Sequence, residues 1–516
     1  MKSQHLLLIV LLGILNQPKL TGQNNAFSKV IENPISISAY GIVATTDNNF
    51  LIAGNAENSH GAILRINTSG EPLSAQKYAF DNGLVYFTNL INCYESGIVV
   101  SGSIETWSAG IRRALITKMD ESGAVLWSKS IGLSGSNLTA TNVDQTADSG
   151  FILSGSIGSF YSGKNGLFAA RLDKDGELLW FRGFESTDWS QGYTARQSAD
   201  GGFLLVGFAG TLSNMKSKAV LIKTDGNGNL QWAKQYQTST YFTEFAFDAL
   251  VEEYGYLCLT NNGCIRTDND GNVLSFIRLG NNHSSPNWEF AMPRIKRYNA
   301  GGYLVALSGY MAQAIVLDKD LFAITTINYL LDLTDVIETE NKGILAVGNG
   351  PLIYVKDQKV YEPHIGLIAS DSIGSEGDCN NAFYPAYSFA ENMLSEPLTV
   401  NELTDATINT ETAVVSPLQV VERWGCIDVI GNVGEKPEQM NIRIFPSHVK
   451  DLLTIEAMQP QKDAQLELFN AGMQSLLSTS LNGQSKSFNL SHLSPGIYFL
   501  KIISGNQSGY WKVIKE

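Results

Sequence analysis

A unit of roughly 50 residues recurs seven times in this chain, and no other feature restricts its fold as tightly. The copies are clearest in SGFILSGSI, LFAARLDKDGELLWFRGF, DGGFLLVGFA and KAVLIKTDGNGNLQWAKQY. In each, a Gly-rich turn opens a short apolar strand, a variable loop follows, and a second strand leads into an Asp-x-x-Gly turn and a third strand beginning near a Trp. The turns fall at Asn67/Gly70, Asp120/Gly123, Asp173/Gly176, Asp225/Gly228, Asp268/Gly271, Asp318, where Leu321 replaces the Gly, and Asp371/Gly374. Their spacings are 53, 53, 52, 43, 50 and 53 residues. The strand opened by the preceding turn recurs independently at Phe50, Ile98, Phe151, Phe203, Tyr256, Tyr303 and Ile344. Asp or Asn can bond the backbone that follows it, and Gly supplies the positive φ that a short hairpin loop demands. Trp127, Trp180 and Trp232, each seven residues after its Asp, are expected to pack between adjacent units.

A four-stranded unit of this length predicts an all-β chain with a seven-bladed β-propeller over residues 27–374. Phe27-Ser28-Lys29-Val30-Ile31 resembles the outer strands Trp127-Ser128-Lys129-Ser130-Ile131 and Trp232-Ala233-Lys234-Gln235-Tyr236, yet it precedes the first full repeat. The seventh repeat stops after Gly374 without such a strand, so the N-terminal segment is expected to complete the last blade and remove an open edge. An open β-solenoid is the competing architecture. The 48 glycines, the 10% aromatic content and the low 17% of charged residues suit many short strands joined by tight turns.

Ahead of the repeats, Lys2 and His5 precede an apolar run from Leu6 to Leu15, then Thr21, Gly22 and Gln23. This reads as a signal peptide over residues 1–23, with a signal-anchor as the alternative; the run is short of the roughly 20 residues a membrane span needs. No other segment could span a bilayer. After the repeats, residues 375–437 read as a linker with some strand content, and residues 438–516 as a small Ig-like β-sandwich of short alternating strands. Of the five cysteines, Cys93 stands alone, Cys258 and Cys264 flank a predicted hairpin turn, and Cys379 with Cys426 could form a disulfide or remain buried thiols.

The C-terminal segment resembles the type A sorting domain of the type IX secretion system. The resemblance rests on Phe445-Pro446 followed by Lys450-Asp451-Leu452-Leu453-Thr454-Ile455, on Leu466 to Asn470 with Gly472, on Leu490-Ser491-His492-Leu493 with Pro495-Gly496-Ile497-Tyr498-Phe499, and on Lys512-Val513-Ile514-Lys515. Where that family usually shows Pro-Asn-Pro, this chain has Pro446-Ser447-His448. The resemblance implies export through the periplasm to the cell surface or medium, with the secretion translocon as partner. The upstream repeats also resemble propeller repeats common in cargo of this system, which names no activity.

No catalytic, metal or cofactor motif accompanies these addresses. The six histidines are scattered, and neither HExxH nor GxSxG occurs. Asp173-Lys174-Asp175-Gly176 and Asp268-Asn269-Asp270-Gly271 lack the remaining ligands of a calcium loop and read as hairpin turns. A net charge of -14 argues against nucleic acid. The variable loops carry Trp107, Phe160, Tyr161, Trp189, Tyr241, Phe242 and Trp288, which either form a face for a glycan or protein ligand or plug gaps between units. Two readings of function follow: a non-catalytic binding or adhesion module, or a polysaccharide-active hydrolase or lyase with an acid pair at the propeller axis.

Overall fold

The computed structural model describes residues 27–32, 36–370 with interruptions of which 280–291 is the longest, 388–424 except 391–392, and 442–515 with four short interruptions. It is all-β, with no helix among the described residues, and divides into two units, residues 1–429 and 430–516. In the first unit, consecutive strands form antiparallel four-stranded meanders, here numbered I to VII. Sheets I to VI span residues 37–80, 83–133, 138–185, 189–238, 246–279 and 294–329. Sheets I and II are joined by one bridge, Phe80 to Gly83. Sheet VII takes three strands from residues 332–370, and its fourth is Phe27–Glu32, which pairs antiparallel with Ile365–Ser370.

The turn that sets the repeat has a recurring geometry among the described residues. Asp173 Oδ1 accepts from Asp175 N at 2.9 Å and Glu177 N at 2.8 Å, and Gly176, at φ 83°, donates its N–H to Asp173 O. The same Asx bonds recur at Asn67, Asp120, Asp225 and Asp318. Asp371 and Gly374 lie outside the described residues. Leu321 takes φ 70° where the other turns have Gly. A left-handed L-residue costs roughly 1–2 kcal/mol, yet Leu321 is fully buried among Leu257, Leu259, Ile277 and Leu317, a gain of about 1.5–3 kcal/mol. Burial therefore carries the strained backbone.

The tryptophans seven residues after the Asp do join neighbouring sheets. Trp127 meets Phe151 edge-on with centroids 5.7 Å apart, Trp180 meets Phe203 at 5.3 Å, and Trp232 meets Tyr256 at 6.4 Å. Trp180 and Trp232 also donate Nε1–H to Gly226 O and Asn269 O in the following turn.

Within the stretch read as a linker, residues 388–424 form six short strands that add to the outer edges of the sheets in reverse order. Ser388–Ala390 pairs with sheet V, Met393–Pro397 with IV, Asn401–Leu403 with III, Ala406–Thr410 with II and Ala413–Pro417 with I. Val421–Trp424 then pairs with the N-terminal strand Phe27–Glu32 of sheet VII. This belt is tied inward by Met393 and Leu418, both buried, and by Glu411, which accepts from Arg113 at 2.9 Å. Each of these short strands satisfies a sheet edge whose own sequence lies far away in the chain, and together they are the strand content of this stretch.

Hydrogen bonding links the strands of the second unit into one six-stranded sheet. Its longest strand, Leu452–Asn470, pairs with Ile442–Phe445 through its first half and with Gly496–Ser504 through its second, and Ser475–Asn489 follows it along both. Register shifts between Glu456 and Ala464 let that strand bend, so a single sheet can curl around Leu453, Ile455, Leu466, Leu468, Leu500 and Ile502.

Candidate functional site

The first strand of each sheet in the first unit carries the chemistry. Six of these strands hold a register irregularity at a corresponding point: between Ala39 and Gly41, Phe87 and Asn89, Ala140 and Asn142, Gly192 and Thr194, Ala246 and Asp248, and Leu333 and Asp335. A bulge re-aims the residues that follow it. It also frees groups to bond the next sheet. Thr88 Oγ1 donates to Ala140 O at 2.9 Å, and Thr194 Oγ1 to Phe247 O at 3.0 Å. Thr141 Oγ1 donates to Tyr193 O.

After the bulge, Asp248 and Asp335 serve as staples. Asp248 Oδ1 accepts from Ala249 N at 2.8 Å, while Oδ2 accepts from Ile295 N of the next sheet at 3.1 Å. Asp335 repeats this with Val336 N at 2.8 Å and with Ile42 N of sheet I at 3.0 Å. Asn349 adds a second tie to sheet I, accepting from Ala39 N at 2.7 Å and donating to Ala39 O at 3.0 Å. The contacts between first strands thus run from sheet I through VII and return to I.

These strands line a cavity of about 400 Å³, bounded by Asn89, Asn142, Asp144, Arg196, Asp248, Arg294, Lys296 and Asp335 among others. Arg196 bridges Asp248 at 2.8 Å and Asp144 at 3.3 Å, and its Nε donates to Ala249 O. Although burial opposes its charge, those two carboxylates raise the Arg196 pKa above the ordinary arginine value. Lys296 pairs with Asp335 at 2.6 Å. Each carboxylate of the cavity is therefore paired with a cation. None of these residues was singled out from sequence; the signal available was a charged residue interrupting an otherwise apolar strand, as in AFDALVE and DLTDVIE.

Of the aromatics expected to form a binding face, Trp189 is half-buried and meets Phe208 edge-on at 4.8 Å, beside a cluster of Tyr193, Phe245 and Phe247. Trp107, Phe160, Tyr161, Tyr241, Phe242 and Trp288 lie outside the described residues, as do Cys379 and Cys426. Cys258 and Cys264 are free thiols on the two strands of a hairpin, and burial pushes the Cys264 thiol up to about 12.

In the second unit, Lys450 and Asp451 are exposed beside the start of the longest strand, and Asp451 O accepts from Leu490 N at 2.7 Å. Tyr498 is buried and its hydroxyl donates to Ser494 O at 2.8 Å. Gly496 and Lys512 lie on the paired strands Gly496–Ser504 and Gln507–Lys515, whereas Pro446, Gly472 and Pro495 fall outside the described residues. The family model for the secretion system C-terminal sorting domain matches residues 443–516. This segment is a type IX sorting domain. The sorting domain marks the chain as secreted or displayed at the cell surface, and implies an encounter with the secretion system. Among the described residues no helix is long and apolar enough to cross a membrane. No curated protein matches the chain. Two solved structures are similar to it at low identity. A protein of unknown function from Bacteroides caccae is 14% identical, with a TM-score of 0.33, covering 50% of this chain and 87% of its own. PorZ, described as an essential bacterial surface component of the type IX secretion system of Porphyromonas gingivalis, is 9% identical, with a TM-score of 0.24, covering 94% of this chain and 100% of its own.

Proposed function

We propose that the first unit is a seven-bladed β-propeller, closed by its N-terminal strand and exported behind a signal peptide, that acts outside the cell as a non-catalytic binding module. The seven meanders and the return of their contacts to sheet I support that architecture. Loop aromatics Trp107, Tyr161, Tyr241 and Trp288, with Trp189 at the start of sheet IV, would offer a glycan or protein ligand its contact face, and a Cys379 to Cys426 disulfide would suit the oxidising compartment.

The observation that carries the non-catalytic reading is the state of the cavity carboxylates. Asp144, Asp248 and Asp335 are each held by Arg196 or Lys296, and the last two are also committed to backbone N–H groups of two sheets. A glycosidase needs one carboxyl free to give up a proton. The second reading, a polysaccharide hydrolase or lyase, draws on the convergence of those same three carboxylates on one cavity. Incubating the purified chain with a panel of neutral and acidic polysaccharides separates the two. Retention on the polysaccharide with no release of reducing ends is expected; release that disappears in Asp248→Asn would overturn the binding reading.

A further inference from the structure

Two buried polar side chains of the cavity have atoms that the chain leaves unsatisfied. Asn142 is 1% exposed, and neither its Nδ2 nor its Oδ1 has a hydrogen-bond partner. Arg294 is 4% exposed, its Nε has no partner, and it forms no ion pair among the described residues. Both line the cavity. Folded interiors seldom leave such groups bare, so each one calls for an explanation.

The charge pattern gives one. Arg196, Arg294, Lys296 and Arg297 face Asp144, Asp248 and Asp335 across the cavity, one cation in excess. The carboxylates already serve Arg196, Lys296 and the backbone, so Arg294 feels Asp248 and Asp335 only through space. Burial holds its guanidinium below the ordinary arginine pKa, and nearby Arg196 adds to that. An anion seated here would relieve Arg294. The planar guanidinium matches a carboxylate, whose two oxygens can take parallel N–H donors. Asn142 offers a donor and an acceptor together, which suits a hydroxyl. A cavity of about 400 Å³ falls within the roughly 300–1,000 Å³ of small-molecule sites.

We propose that this cavity binds one small hydroxy-carboxylate of the uronate type, its carboxylate on Arg294 and a hydroxyl on Asn142. The assignment rests on the binding-module reading above and gives it a ligand class.

Titration calorimetry and thermal unfolding of the full chain test it, with glucuronate as probe and glucose and inorganic phosphate as comparisons. Glucuronate alone is expected to bind and to raise the melting temperature. Arg294→Gln and Asn142→Asp are expected to weaken it by about tenfold or more, while Lys174→Ala, on an exposed turn, leaves it unchanged. If one cavity variant does not fold, the other decides. The proposal is overturned if glucuronate fails to bind, if glucose or phosphate binds as well, or if the folded variants retain full affinity. Such a failure leaves polysaccharide retention intact, whereas release of reducing ends would sink the binding-module reading with the glucuronate affinity still measurable.

Discussion

Gly228 sits at φ 80° in its turn, and a Cβ built there would lie 2.8 Å from Arg182 Cγ, on a flexible stem, and 3.0 Å from the rigid Trp180 ring. Gly201 has the same φ of 80°, but a Cβ there would meet nothing within 4 Å. Alanine at either position incurs the backbone cost of roughly 1 kcal/mol, and only Gly228→Ala should also disturb the indole contact with the neighbouring sheet. Chemical denaturation is expected to rank Gly228→Ala clearly below Gly201→Ala; equal losses would mean that the Trp180 contact adds nothing. Glu244 supplies a second residue-scale prediction. Burial pushes its carboxyl up to about 7, although Asn262, Thr238, Arg278 and Thr260 favour the ionised form. Below about pH 4.5 the carboxyl is protonated in both folded and unfolded chains, so it carries no penalty. As pH rises towards 7 the unfolded chain ionises first and stability falls, by on the order of 3 kcal/mol in full. Glu244→Gln should therefore gain stability over the parent between pH 5 and 8, measured by melting at several pH values, and a constant difference across that range would contradict the assignment. Local chemistry of this kind was readable beforehand: Asp173, Gly176 and Trp180 are near neighbours in sequence, and their spacing encodes turn and stack together. Asn142, Asp248 and Arg294 were not, because each comes from a different sheet and carries no motif of its own.

Strands joined by short turns announce themselves through alternating or fully apolar runs, and the second strands of the sheets, such as FILSGSI, did so. The belt did not. Its members are three to five residues long, and those on sheets I to III are largely exposed, as at Asn401–Leu403 and Ala406–Thr410. Leu394 and Val414 even point outward, 60% and 65% exposed. What these strands supply is backbone pairing along an edge, and hydrophobic patterning records burial rather than edge pairing. Deleting residues 388–424 would bare the outer edges of six sheets, from Val273–Leu279 of sheet V to the N-terminal Phe27–Glu32 of sheet VII. The shortened chain is expected to lose solubility and to self-associate, detectable by light scattering and size-exclusion chromatography. A monomeric product with an unchanged melting temperature would show the belt to be dispensable. The resemblance of Phe27–Ile31 to the outer strands was legible for the opposite reason: that strand repeats the Ser-Lys pattern of Trp127–Ile131.

The two units have separate cores, one distributed over the seven sheets and one around Leu466 and Leu500. Removing residues 443–516 should therefore leave the first unit folded and change only its destination. Fractionation of cells making the truncated chain is expected to find it retained in the periplasm, while the full chain reaches the surface or the medium; equal export would deprive the sorting domain of its role. The pairing of Phe27–Glu32 has a consequence for synthesis. Lys29 meets Leu367 on one side and Trp424 on the other, so one of the earliest strands to be made waits for nearly the last of its unit. Contacts of such sequence separation form slowly and leave earlier segments open to mispairing meanwhile. A nascent chain of this protein thus spends its longest stage incomplete, and holdase chaperones would find in that stage their main substrate.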